Sequence, residues 1–280
     1  MLCALYQNLI QTGVFATRTL SAGEAAVLAQ LELERPELVP TRHLAALLAD
    51  SGIGTPVRVF AARLRAKGWL LPTDQRGVWE FAPAALAGPY SSGDPLLPLR
   101  SFLANRPDAR CGLTFQAAAW AHGLADRVPP RPEVALADTA LVRRLLDSLD
   151  GSVFVPASPY VQARGAPTLA VESVIVQMCA KPIAVRSWAS AVEWLPDLAA
   201  EATASSVEKE LAGRHRTVAI RAGYLLQALR PDIAAAIADA SNPAGRVWFG
   251  SRGRQRRHDE RWQVADTLLP FDPRALIPAS

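Results

Sequence analysis

Arginine side chains between residues 58 and 76 are the part of this chain with the clearest chemistry. Arg58, Arg63 and Arg65 lie on one predicted helix, and Arg76 follows in a turn-rich segment. A guanidinium group donates hydrogen bonds in a fork that fits two phosphate oxygens, or O6 and N7 of guanine. Arginines at helical spacing, followed by one more on a loop, therefore indicate a surface for duplex nucleic acid.

The exposed face of that helix also carries small side chains. Val59 and Ala62 lie between the arginines. An α-helix enters the major groove only when bulky side chains do not hold it away from the base edges. Val59 and Ala62 either contact thymine methyl groups or only fill space, so base preference stays open. The face predicts a DNA recognition helix.

Two predicted helices joined by a tight turn position these side chains. The first helix begins at Thr41, whose hydroxyl is expected to cap its amides, and ends at Ser51. Gly54 permits a sharp turn, Thr55 is expected to cap the second helix, and Pro56 suits its first position. Apolar residues recur at helical spacing on one face of each helix, namely Leu44, Leu47 and Leu48, then Val57, Phe60, Ala61 and Leu64.

A short hairpin follows the second helix. Residues 69–71 and 78–81 have the pattern of strands around a turn at 72–77, which carries Arg76. The order of helix, turn, helix and hairpin is that of a winged helix-turn-helix, with Arg76 at the tip of the wing. The alternative is a helical module whose arginines form only a solvated face.

Composition places the chain among globular proteins. It has 280 residues, which indicates about two domains, and 50% of them are hydrophobic and 20% charged. A net charge of +4 permits a nucleic-acid partner without requiring one. Cys3, Cys111 and Cys179 are too scattered for a disulfide framework or a metal clip, so we expect them to be small buried residues.

No segment predicts export or membrane insertion. The opening MLCALYQNLIQTG lacks a basic region and is interrupted by Gln7 and Asn8, so it is a poor signal peptide. No uninterrupted apolar run reaches membrane-spanning length. We therefore expect a soluble, cytoplasmic protein with no membrane partner.

A domain boundary is predicted where prolines, glycines and serines break the pattern between Pro83 and Pro95. We assign residues 1–90 to a winged helix-turn-helix domain and residues 91–280 to a larger, mainly helical domain of mixed α/β pattern. The predicted fold class is therefore α+β. Strands are expected at 133–137 and 152–155, with an amphipathic helix at 140–149. Further helices are expected at 94–106, 114–124, 171–181, 187–199, 205–213 and 216–230, with breaks at Pro182, Pro196, Gly213 and Pro231.

A second arginine cluster lies near the end of the chain. Six arginines fall between Arg246 and Arg261, in a predicted charged loop between strands at 246–249 and 262–265. One interpretation is a second nucleic-acid contact with exposed aromatic residues stacking on bases, and the other is a solvated turn whose aromatics point into the core. The candidate DNA contacts in this loop are Arg252, Arg254, Arg256 and Arg257.

The chain lacks the motifs of common enzyme classes. It has no phosphate-cradling GxxxxGK[ST], no GxGxxG after a strand, no HExxH and no GxSxG. Its histidines lie far apart, and none except His258, which precedes Asp259 and Glu260, lies near a carboxylate or cysteine at metal-ligand spacing. Adjacent residues on a turn rarely converge on one ion, and His43 is placed to face a phosphate. We predict a protein that is not an enzyme and uses no cofactor or metal, with a site assembled from distant residues as the alternative.

The order of segments over most of the chain resembles the AbiEi family of type IV toxin–antitoxin antitoxins, particularly its mycobacterial-type two-domain members. The strings that carry the resemblance are PLRSFLA behind the hairpin, AAAWAHGL, ESVIVQMCAKP and RTVAIRAGYLLQAL. Each string alone is a packing pattern without chemistry. Their order behind a winged helix is what makes the resemblance specific.

The resemblance implies a function for each domain. The first would bind inverted repeats in the operon's own promoter cooperatively and repress it. The second would counteract a nucleotidyltransferase-like toxin encoded by the adjacent gene, without requiring a stable complex. The positions that the resemblance assigns to DNA binding are Thr41, Arg42, Thr55, Arg58, Arg63 and Arg76, to which the helical pattern adds Val59 and Arg65.

Two other functions stay open from the residues alone. One is a ligand-responsive winged-helix regulator, which would need an apolar cavity with a few converging polar groups in the larger domain. The other is a scaffold whose winged helix contacts protein instead of DNA.

Overall fold

The chain forms two compact units. The computed structural model describes residues 19–86, 91–143, 145, 148–241 and 245–278. Unit 1 ends at Asp108 and unit 2 begins at Ala109. Cys3, the opening apolar segment and part of the predicted 140–149 helix lie outside the described residues.

Unit 1 contains the predicted order of helix, turn, helix and hairpin, with a further helix and strand before it. Its elements are α1 (Ala22–Glu34), β1 (Leu38–Pro40), α2 (Thr41–Asp50), α3 (Val57–Ala66), β2 (Leu70–Pro72), β3 (Val78–Phe81), a 3-10 turn (Ala84–Leu86) and α4 (Leu97–Asn105). The strands pair antiparallel in the order β1-β3-β2, so the hairpin gains a third strand that the sequence pattern does not predict.

The core of unit 1 forms from the predicted apolar faces. Leu44 and Leu48 of α2 are buried against α3, whose own buried side chains include Phe60 and Leu64. Val57 is partly buried against the same cluster. This packing confirms the helical pattern predicted for both segments.

Helix α1 is joined to the end of α3 by a partly buried ion pair. Ser21 and Glu24 form a capping box at the start of α1, with the Glu24 carboxylate accepting from Ser21 N at 2.8 Å. Lys67, which caps the end of α3, donates to the same carboxylate at 2.6 Å. Burial by itself raises the pKa of Glu24, but the hydrogen bonds from Lys67 and Ser21 lower it overall.

The predicted helix caps are wrong at both helices. Pro40 is the N-cap of α2, and the Thr41 hydroxyl donates to Gly77 O at 2.8 Å instead of accepting from helix amides. Pro56 is the N-cap of α3, not its first residue, and no side chain caps this helix. Thr55 therefore lies one residue too early, because a capping side chain must come from the residue directly before the helix.

The division between units falls later than the boundary predicted after residue 90. Helix α4 belongs to unit 1, where it packs against β1 and β3. Leu99 and Phe102 of α4 are fully buried. The loop composition after Pro83 marks a break between elements, whereas the packing of α4 decides which unit it joins.

Unit 2 is built on a five-stranded sheet with the order β6-β5-β4-β8-β7. Its first elements are β4 (Cys111–Leu113), α5 (Phe115–Ala121), β5 (Glu133–Leu136), α6 (Thr139–Val142), β6 (Asp150–Val153), β7 (Val161–Ala163) and β8 (Ala166–Thr168). Among the described residues of the segment predicted as a helix at 140–149, the structure has the end of the short α6, and β6 begins earlier than predicted. The mixed sheet and flanking helices confirm the α+β class.

Helices make up most of the remaining chain. They are α7 (Val171–Ala180), α8 (Trp188–Glu201), α9 (Ala204–Leu211), α10 (Arg216–Leu226) and α11 (Pro231–Ser241). Pro196 lies inside α8, so its prediction as a break is wrong, and burial of Trp194, Leu195 and Leu198 around it keeps the helix continuous. Pro231 opens α11 at the position where a missing amide costs least.

The end of unit 2 is a small mixed sheet. Its strands β9 (Val247–Phe249), β10 (Arg257–Asp259) and β11 (Val264–Asp266) are ordered β10-β11-β9. The segment predicted as a charged loop contains the strand β10, which pairs antiparallel with β11, and β11 pairs parallel with β9. Trp262 is fully buried against Gly223 of α10, where an added Cβ would lie 2.0 Å from the indole.

Membrane-spanning character was examined over the described ranges. None of the helices there combines the length and the apolar content needed to cross a bilayer.

Candidate nucleic-acid interface

The exposed face of α3 is basic and lightly covered, as its sequence predicts. Phe60, Ala61 and Leu64 are buried, while the opposite face is exposed to solvent. The exposed residues of α3 include Arg58, Val59, Ala62, Arg63 and Arg65. The buried residues fix the rotation of α3, so the arginines face solvent.

A groove of about 540 Å³ separates α3 from the wing hairpin, residues 70–81. Arg58 and Arg65 line it from α3, and Arg76 lines it from the hairpin tip. Among the described residues, none of these three guanidinium groups has an ion-pair or hydrogen-bond partner. The remaining lining residues are all uncharged, namely Thr41, Ala61, Ala62, Pro72, Thr73, Gln75, Gly77, Val78 and Trp79. A concave surface with unpaired positive charge attracts a polyanion.

The exposed face of α3 has two parts. Successive residues turn by about 100° around a helix, so Arg58 and Arg65 share the side that faces the hairpin. Val59 and Arg63 lie further round, exposed to solvent and outside the groove lining. The structure therefore separates two arginines inside the groove from one arginine beside an exposed valine.

The tip of the wing hairpin is held by hydrogen bonds. Thr73 Oγ1 donates to Val78 O at 2.9 Å and accepts from Gln75 N at 3.2 Å. Thr41 donates to Gly77 O twice, through its backbone N and through Oγ1, each at 2.8 Å. Thr41 therefore supports the tip of the wing hairpin from the start of α2, a role that its position as an expected helix cap does not predict.

Replacing Gly77 by alanine is expected to destabilise unit 1 by about 1–3 kcal/mol. Gly77 has a φ of +80°, and an added Cβ would lie 2.7 Å from Thr41 Oγ1. Thermal unfolding of the full chain measures the effect. Gly54→Ala is the matched control, because nothing lies within 4 Å of the Cβ added there and its φ is not positive. Equal melting temperatures for the two variants would contradict this account.

Three residues predicted to contact DNA do not line the groove between α3 and the wing hairpin, namely Arg42, His43 and Thr55. Arg42 Nη1 donates to Ala104 O at 2.7 Å, which ties α2 to the end of α4. His43 Nε2 lies 2.9 Å from Glu34 Oε2, so the expectation that it faces phosphate is wrong. Thr55 is half-buried and does not line the groove.

The four candidate arginines near the carboxy-terminal sheet differ in whether they are bound within unit 2 or exposed. Arg257 is bound to the buried Asp266 at 2.9 Å and to Leu269 O at 3.0 Å, so it stabilises the sheet. Arg256 Nη1 lies 3.5 Å from Leu269 O. Arg252 and Arg254 are exposed.

The aromatic residues beside this cluster lie largely in the core. Phe249 and Trp262 are fully buried, and Trp248 is half-buried. Base stacking by Phe249 is therefore excluded, as in the second of the two interpretations considered for this segment.

Unit 2 holds a cavity of about 410 Å³ with a different character. Asp126, Arg127, Glu193 and Asp197 are among its lining residues. Small-molecule sites are mostly apolar with a few polar groups, and this lining does not fit that description. Within the described ranges, no three His, Cys, Asp or Glu side chains are placed to hold a metal ion.

Cys111 and Cys179 are buried free thiols, as predicted. Burial raises the pKa of both to about 12. Thiolates are the reactive form of cysteine, so neither residue is suited to nucleophilic chemistry near neutral pH.

Comparison with known proteins places both units in context. The family model described as the AbiEi antitoxin C-terminal domain matches residues 109–228, which begins where unit 2 begins. A solved structure, the crystal structure of the RV2827C protein from Mycobacterium tuberculosis, has a TM-score of 0.76 and 26% sequence identity. The similarity covers 91% of this chain and 94% of that chain. No curated protein matches the sequence significantly.

Proposed function

Because residues 109–228 carry an AbiEi antitoxin C-terminal domain, we propose that this protein is the antitoxin and transcriptional autorepressor of a type IV toxin–antitoxin system. Unit 1 binds inverted repeats in the promoter of its own operon, and unit 2 counteracts a nucleotidyltransferase-like toxin encoded beside it. Binding to the repeats is cooperative. The protein acts in the cytoplasm, where that promoter lies.

The observation that carries the DNA-binding half is the groove between α3 and the wing hairpin. Arg58, Arg65 and Arg76 converge on it from two elements, and no acidic side chain in the described ranges pairs with them. Phosphates of one DNA strand supply the missing negative charge, because guanidinium groups bind phosphate oxygens through paired hydrogen bonds. Phosphate contacts at this groove position the protein on the duplex.

The outer part of α3 is assigned to the bases. Arg63 is exposed beside Val59, which is 45% exposed despite being apolar. In a major groove, an arginine reads guanine O6 and N7, and a small apolar side chain contacts a thymine methyl group. Sequence preference is therefore assigned to Val59 and Arg63, and affinity to the groove arginines. Arg252 and Arg254 of unit 2 are proposed as additional backbone contacts.

The antitoxin half rests on the family match to unit 2. The AbiEi antitoxin family is generally non-enzymatic, and we propose no catalytic step, cofactor or metal for this chain. Neutralisation without a stable complex with the toxin is part of the proposal.

Two assays on the full chain test the two halves separately. Gel-shift titration with a duplex from the chain's own upstream region, against a shuffled duplex, is expected to give preferential binding. In cells whose growth is arrested by the product of the adjacent gene, co-expression of the full chain is expected to restore growth. Equal affinity for both duplexes would contradict autorepression, and unrestored growth would contradict the antitoxin role. Promoter binding that a small molecule abolishes, without growth rescue, would instead identify a ligand-responsive regulator.

A further inference from the structure

The end of α4 is hydrogen-bonded to the tip of the wing hairpin. Asn105 Nδ2 donates to Arg76 O at 3.1 Å, and Arg106 Nη1 donates to Gln75 Oε1 at 3.2 Å. Helix α4 is not part of a helix-turn-helix, and its sequence predicts only amphipathic packing. Its last residue, Asn105, and the residue that follows it, Arg106, nevertheless bind Arg76 and Gln75 of the hairpin.

Arg106 is itself held in place. Its guanidinium carbon lies 4.9 Å from the centre of the Phe102 ring, and Phe102 is fully buried. The side chain that Arg106 holds, Gln75, is only 7% exposed. A buried amide that loses its partner is costly, so this contact fixes the hairpin tip more strongly than an exposed hydrogen bond.

Three consecutive residues of the hairpin tip are thereby fixed from outside the hairpin. Arg106 holds Gln75, Asn105 holds the carbonyl of Arg76, and Thr41 holds the carbonyl of Gly77. Among the described residues, the Arg76 side chain has no partner of its own. The arrangement immobilises the backbone beneath a guanidinium group that is left free to bind.

We propose that Asn105 and Arg106 are positioning residues that set where Arg76 meets the DNA backbone, an inference that rests on the proposed function of unit 1. Binding that orders a mobile loop loses affinity to the entropy of ordering, and a loop held in its bound position avoids that loss. Asn105 and Arg106 therefore act on DNA affinity through Arg76, without contacting DNA themselves.

A double-mutant cycle on the full chain tests this assignment. The Asn105→Ala, Arg106→Ala pair is expected to lower affinity for promoter DNA about fivefold to tenfold, the loss of two hydrogen bonds. In an Arg76→Ala background, the same pair is expected to change affinity by less than about twofold, because the residue they position is absent. In the unaltered background, the pair should make the slope of log affinity against log salt shallower by about one unit. In the Arg76→Ala background, the pair should not change this slope further.

Equal losses in both backgrounds would overturn the proposal, because Asn105 and Arg106 would then act through the general fold or contact DNA directly. Arg131→Ala is the charge-matched control, since it removes one exposed arginine of unit 2. If the double variant fails to fold, Asn105→Ala alone replaces it in the same cycle. The Asn105 side chain is exposed, so its removal should leave the fold intact.

Hydrogen exchange at residues 73–78, measured without DNA, separates failure of this inference from failure of the proposed function. Faster exchange in the Asn105→Ala variant is expected. Unchanged exchange would overturn the positioning role. If the unaltered chain does not bind its promoter but exchange is still faster in the Asn105→Ala variant, the DNA-binding function is overturned. The contact between α4 and the wing hairpin would then still stand.

Discussion

The Arg58→Ala, Arg65→Ala double variant is expected to bind promoter DNA about 2–4 kcal/mol more weakly than the unaltered chain, at one to two kcal/mol for each lost contact. Both side chains line the groove beneath Arg76 and have no partner within the described part of the chain. Their removal breaks no hydrogen bond or ion pair within the described ranges, so the loss is expected in binding. Gel-shift titrations at two salt concentrations should give a salt slope shallower by about two units.

Arg63→Ala is the matched comparison for that double variant. It removes the same side chain from the same helix, at a position outside the groove. We expect it to reduce discrimination between the cognate and the shuffled duplex, with a smaller change in salt slope, because base contacts carry sequence information and phosphate contacts carry most of the salt dependence. Identical slopes and identical discrimination for the two variants would contradict the division of α3 into two parts.

The second large effect is expected at Glu210, where an alanine should destabilise unit 2 by about 3–5 kcal/mol. The Glu210 side chain is fully buried and pairs with Arg214. It also accepts hydrogen bonds from Ala157 N at 2.9 Å, Ser158 N at 3.1 Å and Ser173 Oγ at 2.8 Å. Alanine would remove the acceptor of two backbone amides and of the Ser173 hydroxyl, together with the carboxylate that neutralises Arg214.

Thermal unfolding of the full chain measures this loss, with Glu208→Ala as control. Glu208 lies two residues earlier on the same helix and is exposed, so its removal should leave the melting temperature nearly unchanged. The growth-rescue assay should show the same contrast if unit 2 is the antitoxin. If the Glu210→Ala chain has the same melting temperature as the unaltered chain, the network contributes no net stability.

The Glu210 network explains how a loop of unit 2 is held without regular structure. Arg214 stacks over Phe154 with its guanidinium carbon 4.2 Å from the ring centre, and it donates to Val155 O at 2.9 Å. Glu210 then accepts hydrogen bonds from the backbone amides of Ala157 and Ser158. Glu210 of α9 and Arg214, three residues beyond the end of that helix, therefore fix the chain between β6 and β7. Glu208 and Glu210 point to different sides of α9, and the structure buries only Glu210.

The helices and the hairpin of unit 1 could be predicted because their signals are local. Apolar spacing in α2 and α3 depends only on neighbouring residues, and it correctly separated the buried face from the arginine face. The same reasoning found most helices of unit 2. It failed where a local signal competed with packing, as at Pro196 inside α8 and at the β10 strand within the predicted charged loop.

The roles of individual site residues could not be predicted in the same way. Thr41 looked like a helix cap and Arg42 like a DNA contact, yet both bind backbone carbonyls distant in sequence, at Gly77 and Ala104. Arg257 looked like part of a basic loop, yet it neutralises the buried Asp266. Each difference arises because a long-range partner claims a side chain whose local pattern is polar and exposed.

The amino-acid sequence by itself determined the order of elements in unit 1, the small basic face of α3 and the family resemblance of unit 2, because these depend on residue types and short spacings. The tertiary structure alone decided which arginines are free. Arg58, Arg65 and Arg76 face one groove without partners among the residues that the structure describes, while Arg42 and Arg257 are bound within their own units. A guanidinium group is available for DNA only where the fold places no carboxylate or carbonyl within reach, and that depends on residues far apart in the chain.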